Sequence, residues 1–133
     1  MATRIYILED HPIVQETLCA MINAIPELTV CGAACTAPEA LAQLAQVAAD
    51  IVLVDISLPG MDGLTFIRAV QQQYPALRCL IVSTHDDPTH VRQALAAGAH
   101  GYAVKHSFGD ITKAISHVLN GEIYLSPNLR SGY

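Results

Sequence analysis

Short apolar runs alternate along the chain with segments whose apolar residues recur at helical spacing. The runs RIYIL, LTVCGA, IVLV, LRCLIVS and GYAV are partly β-branched or aromatic and are bounded by turn formers, which marks them as strands. Between them, Val14, Leu18, Met21, Ile22 and Ile25 form one helical stripe, and Leu41, Leu44, Ala45 and Ala48 a second. Phe66, Ile67, Val70 and Tyr74 form a third, and Ile111, Ile115, Val118 and Leu119 the last. The segment with Val91 and Leu95 is weaker and rich in alanine. Helix starts are written in polar residues. Thr36-Ala37-Pro38-Glu39 reads as a capping box with proline in the first turn. Asp87-Pro88 reads as an N-cap followed by proline at the first helical position, and Ser107 to Asp110 as a weaker cap of similar type. Gly98 and Gly121 stand where helices should stop.

Strand then helix, repeated five times, predicts an α/β fold: a parallel sheet with helices on both faces and right-handed crossovers. No internal linker, repeat or low-complexity segment interrupts residues 1–120. Past about Asn120 the helical stripe stops, and residues 121–133, GEIYLSPNLRSGY, read as a tail or the start of a linker.

Composition narrows the function. The 133 residues suit one domain with a real core. With 52% hydrophobic and 14% charged residues, disorder is excluded. The apolar runs are too short to cross a bilayer, and the N-terminus lacks the long apolar region of a signal peptide, so a soluble cytoplasmic protein is expected. The net charge is -5, and seven Lys+Arg are scattered, which leaves no basic stripe for a phosphate backbone. Cys19, Cys31, Cys35 and Cys79 have neither zinc-knuckle nor CxxC spacing and read as small apolar residues in a reduced compartment. The six histidines, at 11, 85, 90, 100, 106 and 117, show no ligand-like grouping.

The chemistry collects where the apolar runs end. Glu9 and Asp10 follow the first, Asp55 the third and Lys105 the fifth, while the fourth closes on Ser83 and Thr84. In a parallel sheet all of these emerge at the carboxyl edge, where open α/β sheets bind ligands. Polar residues also end strands simply because turns are wet, so no single one decides the matter. The set is harder to dismiss, because LTVCGA ends without an ionisable group. Three carboxylates brought together repel one another, and a divalent cation relieves this; oxygen-only ligands suit Mg²⁺. A carboxylate can also attack phosphorus to form an aspartyl phosphate, a reaction that needs mainly positioning and charge neutralisation.

The segments ILEDHP, VLVDISLPGMDGL, IVST and AGAHGYAVK, in this order and spacing, resemble the receiver domain of bacterial two-component response regulators. The likeness runs from about Arg4 to Asn120. EDHP and GEIYLSP are similar to the NarL/FixJ subfamily, whose receivers precede a LuxR-type helix-turn-helix domain. The resemblance implies a flavodoxin-like (βα)5 fold with strand order 2-1-3-4-5. It implies that Asp55 is the phospho-acceptor, and that Mg²⁺ is held by Asp10, by Asp55, by the backbone carbonyl of Ser57 and, through water, by Glu9. It makes Lys105 the family's lysine, Ser83 the switch hydroxyl and Tyr102 the aromatic switch residue, which turns inward on phosphorylation. His85, two residues past Ser83, stands where a side chain can tune access of water to the phosphoryl group. The implied phosphodonor is a histidine of a sensor kinase, with homodimerisation on phosphorylation and DNA contact only through an output domain. Such a chain is a signalling switch that assists its own phosphorylation and not a conventional turnover enzyme. The expectation is either the receiver part of a longer transcriptional regulator or a stand-alone receiver acting on a protein partner. Two positions depart from the common pattern: His106 stands where many receivers carry proline, and Glu9 where many carry aspartate.

Two other chemistries fit less well. A haloacid-dehalogenase-type hydrolase needs a second acid two residues after the nucleophile, where Ser57 stands. A nucleotide or flavin carrier would want a glycine-rich phosphate loop, and here the loop after the first strand is acidic.

Overall fold

The computed structural model describes residues 2–55, 63–84, 87–105 and 107–132. Strands and helices alternate as the hydrophobic pattern predicts. They run β1 (Thr3–Leu8), α1 (Pro12–Asn23), β2 (Leu28–Ala34), α2 (Ala37–Leu44), β3 (Ile51–Val54), α3 (Gly63–Gln73), β4 (Arg78–Ser83), α4 (Pro88–Ala97), β5 (Gly101–Val104), α5 (Phe108–Leu119) and β6 (Tyr124–Leu125). A 3₁₀ turn over Pro127–Gly132 follows. Among the described residues the sheet has six strands in the order β2-β1-β3-β4-β5-β6, all paired in parallel. The expected order 2-1-3-4-5 is thus present, with one strand added beside β5.

The strands are apolar on both faces because both faces are covered. Alternate residues feed two cores. Tyr6, Leu8, Val52, Val54, Cys79, Ile81, Tyr102 and Val104 point to the side packed by α2, α3 and α4. Ile5, Ile7, Ile51, Leu53, Leu80, Val82 and Ala103 point to the side packed by α1 and α5. Most of each stripe docks: Leu18 and Ile22 of α1, Phe66, Ile67 and Val70 of α3, and Ile111, Ile115 and Val118 of α5 are buried, whereas Met21 of the first stripe is exposed, and Ile25 and Tyr74 lie just past the ends of α1 and α3. The second stripe overruns its helix. α2 stops at Leu44, Ala45 and Ala48 are exposed, and the chain turns so that Val47 and Ala49 reach the core instead.

The caps form. Thr36 Oγ1 accepts from the Glu39 N–H (3.4 Å), Asp87 Oδ1 from the Thr89 N–H (2.7 Å) and Ser107 Oγ from the Asp110 N–H (3.3 Å). Gly98 ends α4 at φ 112°, the left-handed conformation that favours glycine. One close approach shapes the first strand pair. The β1–β2 register shifts between Ile5 and Tyr6, which places Gly32 opposite Tyr6. A Cβ on Gly32 would lie 2.8 Å from Tyr6 Cε2, so glycine is what admits the ring, whose hydroxyl donates to Gln43 Oε1 at 2.6 Å.

The segment that the stripe pattern left as a tail is built into the fold. Tyr124 N–H and Ser126 N–H donate to the carbonyls of His100 and Tyr102, adding β6 to the sheet. The buried Asp110 carboxylate accepts from both the Tyr124 and Ser126 hydroxyls. Ser126 Oγ in turn accepts from the Val104 N–H (2.9 Å). Leu129 is buried in the core on the α4 side.

Candidate functional site

Strand order reverses beside β1, which pairs with β2 on one side and β3 on the other. The crevice at the carboxyl ends of these strands is the switch point at which such sheets bind ligands. Backbone rungs carry the polar residues there. Glu9 N–H donates to Ala34 O (3.1 Å), Asp55 N–H to Leu8 O (3.0 Å) and Lys105 N–H to Ser83 O (2.8 Å). Each of these side chains therefore leaves from a position the sheet has already fixed. Gln15 of α1 adds to this, its Nε2 donating to the carbonyls of Glu9 (3.1 Å) and Ala34 (2.9 Å).

The side chains converge. Lys105 Nζ lies 3.2 and 3.0 Å from the two Glu9 carboxylate oxygens and 3.3 Å from Asp55 Oδ2. Glu9 is 2% and Asp55 6% exposed, so this ammonium bridges two buried carboxylates. Burial works to lower the Lys105 pKa, but the hydrogen bond to Glu9 and the charges of Asp55 and Glu9 outweigh it and hold the group above its ordinary value. One ligand atom each from Glu9, Asp10, His11 and Asp55 lies within 4.8 Å of all the others.

His11 is the member that the sequence pattern did not reveal. Its Nδ1 donates to Glu9 Oε1 at 2.8 Å and lies 3.1 Å from Asp10 Oδ1. The Glu9 hydrogen bond and then the Asp10 charge raise the imidazole pKa above its ordinary value. The contact with Asp10 lacks hydrogen-bonding geometry, and among the described residues this buried Asp10 Oδ1 accepts no hydrogen bond. Three carboxylates facing one lysine leave the cluster formally negative, with one buried oxygen unserved. That donor set fits a hard divalent cation.

The other expected residues fall in place around this group or outside it. Ser83 is fully buried at the end of β4, beside the Lys105 rung. Tyr102 is fully buried in the core on the α2, α3 and α4 side, so its ring already lies inward here. Ser57, His85 and His106 lie outside the described residues.

The response regulator receiver domain family matches residues 5–116. The chain belongs to this family. Among curated relatives it is similar to the DNA-binding transcriptional activator DevR/DosR of Mycobacterium tuberculosis, 32% identical over 92% of this chain and 57% of that protein. It is equally similar to the transcriptional regulatory protein LnrK of Bacillus subtilis, 32% identical over 95% of this chain and 58% of that protein. The chain thus spans less than two thirds of the length of these relatives. Among solved structures, a two-component response regulator of the LuxR family from Aurantimonas superposes with a TM-score of 0.93 at 33% identity, covering 98% of this chain and 94% of that one. The isolated receiver domain of RcsB from Salmonella enterica, at TM-score 0.89 and 21% identity over 98% of both chains, shares the fold. Among the described residues no helix is long and apolar enough to cross a membrane.

Proposed function

We propose that this receiver is the phosphorylation-dependent switch of a two-component system, with Asp55 as the phospho-acceptor. The observation that carries the reading is the Lys105 ammonium held between the buried carboxylates of Asp55 and Glu9, beside the unserved oxygen of Asp10. Asp55 attacks the phosphorus of a phosphohistidine in line; the new Oδ–P bond forms as the P–N bond breaks, and the freed imidazole takes up a proton. Lys105 then follows the charge, exchanging its contact with the bare carboxylate for one with a phosphoryl oxygen. Asp10, Asp55 and the Ser57 carbonyl would hold Mg²⁺, with Glu9 reaching it through water. When bound, Mg²⁺ supplies the positive charge that lets an anionic donor approach three carboxylates.

A protein donor fits the surroundings of the site. Ile13, 79% exposed, and Met21 line a groove with Lys105 and Phe108 that opens next to the crevice. The donor is a histidine of a sensor kinase in the cytoplasm. Ser83 bonds the phosphoryl group. Ser83 and Tyr102 lie on β4 and β5, the strands through which a change at Asp55 reaches α4, α5 and β6. The output is transcriptional, through homodimerisation and a DNA-binding domain beyond these residues; relatives described as a DNA-binding transcriptional activator and a transcriptional regulatory protein support this.

The test is amide NMR of the protein with Mg²⁺ and beryllium fluoride as the phosphoryl mimic. Chemical-shift changes should centre on Asp55, Ser83 and Lys105 and vanish in Asp55→Asn. Equal binding to that variant, or no binding near Asp55, overturns the assignment.

A further inference from the structure

We propose, on the footing of the receiver reading, that Gln15 is a positioning residue for the phosphorylation site: it fixes the peptide joining Glu9 to Asp10 and so sets how tightly the acids take Mg²⁺. The sheet stops short of the residues that do the chemistry. β1 ends at Leu8 and β2 at Ala34, and the Glu9 N–H adds one rung to Ala34 O at 3.1 Å. Beyond that rung the second chain turns away, because Thr36 is already the cap of α2. Gln15 supplies donors at this point. Its Nε2 lies 3.1 Å from Glu9 O and 2.9 Å from Ala34 O. A primary amide carries two N–H groups, and these carbonyls take both. The Cys35 thiol, 3.7 Å from the same nitrogen, is only a weak acceptor. Ala34 O thus accepts from the Glu9 backbone and from Gln15 together, so the amide ties the two strands where their ladder ends.

The glutamine is itself anchored. Its backbone N–H donates to His11 O at 2.9 Å, the bond from the N-cap carbonyl that opens α1. Backbone and side chain of Gln15 therefore close the turn that carries Glu9, Asp10 and His11. The consequence falls on Asp10. Its Oδ1 is buried and accepts no hydrogen bond among the described residues, so the position of that oxygen rests on the backbone that carries it. The peptide entering Asp10 has Glu9 O as its carbonyl, the atom that Gln15 holds. Freed from Gln15, that peptide can rotate and carry the Asp10 carboxylate with it, out of the group whose ligand atoms lie within 4.8 Å of one another. Asp55 is placed by other means, the rung from its N–H to Leu8 O at 3.0 Å and Lys105 Nζ at 3.3 Å. Loss of the Gln15 amide should weaken the hold on the cation and leave the phospho-acceptor where it is.

The experiment is a magnesium chloride titration of the full chain, wild type and Gln15→Met, followed by NMR of the backbone amides and carbonyl carbons. Methionine keeps the length and the helix preference of glutamine and removes both donors. The Glu9 carbonyl resonance should move in the variant before any metal is added. Its Mg²⁺ midpoint, read at the Asp10 and Asp55 amides, should rise roughly tenfold or more, as when a metal site loses a supporting hydrogen bond. At saturating Mg²⁺, beryllium fluoride should still centre its shifts on Asp55, so that affinity changes and the end point does not. Val70→Ala, a truncation in the core on the other side of the sheet, controls for lost stability: it should lower the Tm and leave the midpoint in place. An unmoved midpoint in Gln15→Met overturns the proposal, and so does an equal rise in Val70→Ala. A wild type whose Asp10 and Asp55 amides ignore Mg²⁺ overturns the receiver reading itself, and the role of Gln15 with it.

Discussion

Replacing Lys105 with methionine tests the electrostatic logic of the site. Methionine keeps much of the apolar stem and deletes the charge. It strips the partner from two buried carboxylates, with Nζ lying 3.0 Å from Glu9 and 3.3 Å from Asp55. Removing one partner of a buried ion pair costs about 3–5 kcal/mol. Lys105 keeps 15% of its side-chain exposure, so water screens part of the field and the lower end applies, about 3 kcal/mol. For a domain of this size that is roughly a 10 °C fall in Tm. The loss should be largest in EDTA and shrink with added Mg²⁺, because a cation among the same carboxylates relieves the same repulsion. The sign with pH is also set. A lysine held above its ordinary 10.5 contributes stability at all lower pH and loses that contribution as pH climbs through its raised value. The gap between wild type and Lys105→Met should therefore close in strong alkali. Thermal unfolding with and without Mg²⁺, repeated across alkaline pH, reads all three effects. A variant as stable as wild type in EDTA, or a gap indifferent to both metal and alkali, would refute the reasoning.

In urea unfolding, Ser126→Ala should cost more than Tyr124→Phe, each about 1–3 kcal/mol, because only Ser126 also serves the Val104 N–H; the reverse order would count against the Asp110 network. Gly32→Ala should destabilise by about 1–3 kcal/mol through contact with the Tyr6 ring, and much less when Tyr6 is already leucine; strict additivity in that double-mutant cycle would exclude the contact. Burial and then the Arg78 charge lower the His100 pKa, and its Nδ1 accepts from the Cys79 N–H at 3.1 Å. Its folded pKa lies below its unfolded one, so its contribution is present above about pH 6.5 and lost as pH falls toward the folded value. His100→Asn, which offers an acceptor without titrating, should flatten that part of the stability–pH curve, and an unaltered curve would remove His100 from the account.

Much of the architecture could be read from one-dimensional pattern. IVLV and GYAV became strands without change of boundary, and Thr36, Asp87 and Ser107 cap the helices they were read to cap. These features are local, set by side-chain period and by the first turn of each helix. What escaped was set by distance in space. β6 is two residues long and carries no period; it exists because Tyr124 and Ser126 find Asp110, more than a dozen residues earlier. At the site, Glu9, Asp10, Asp55 and Lys105 were legible because each ends an apolar run. His11 was not, because a lone histidine after an acidic pair acquires meaning only from the way its ring turns. The role of Gly32 is likewise set in space, by the register shift that places it against Tyr6.

The short sixth strand bears on what this sheet does in company. A parallel sheet ends in rims of unpaired amides, and an open rim is a template on which a second sheet can grow. At the β5 rim the carbonyls of His100 and Tyr102 and the N–H of Val104 are all taken by residues 124–126. Beyond them, Pro127 offers no N–H and the chain turns away into a 3₁₀ coil. The growing edge is thus replaced by one too short to recruit a neighbour. A fragment cut after Asn120 would keep every residue of the proposed phosphorylation site and lose that stop, turning a self-limiting sheet into an adhesive one.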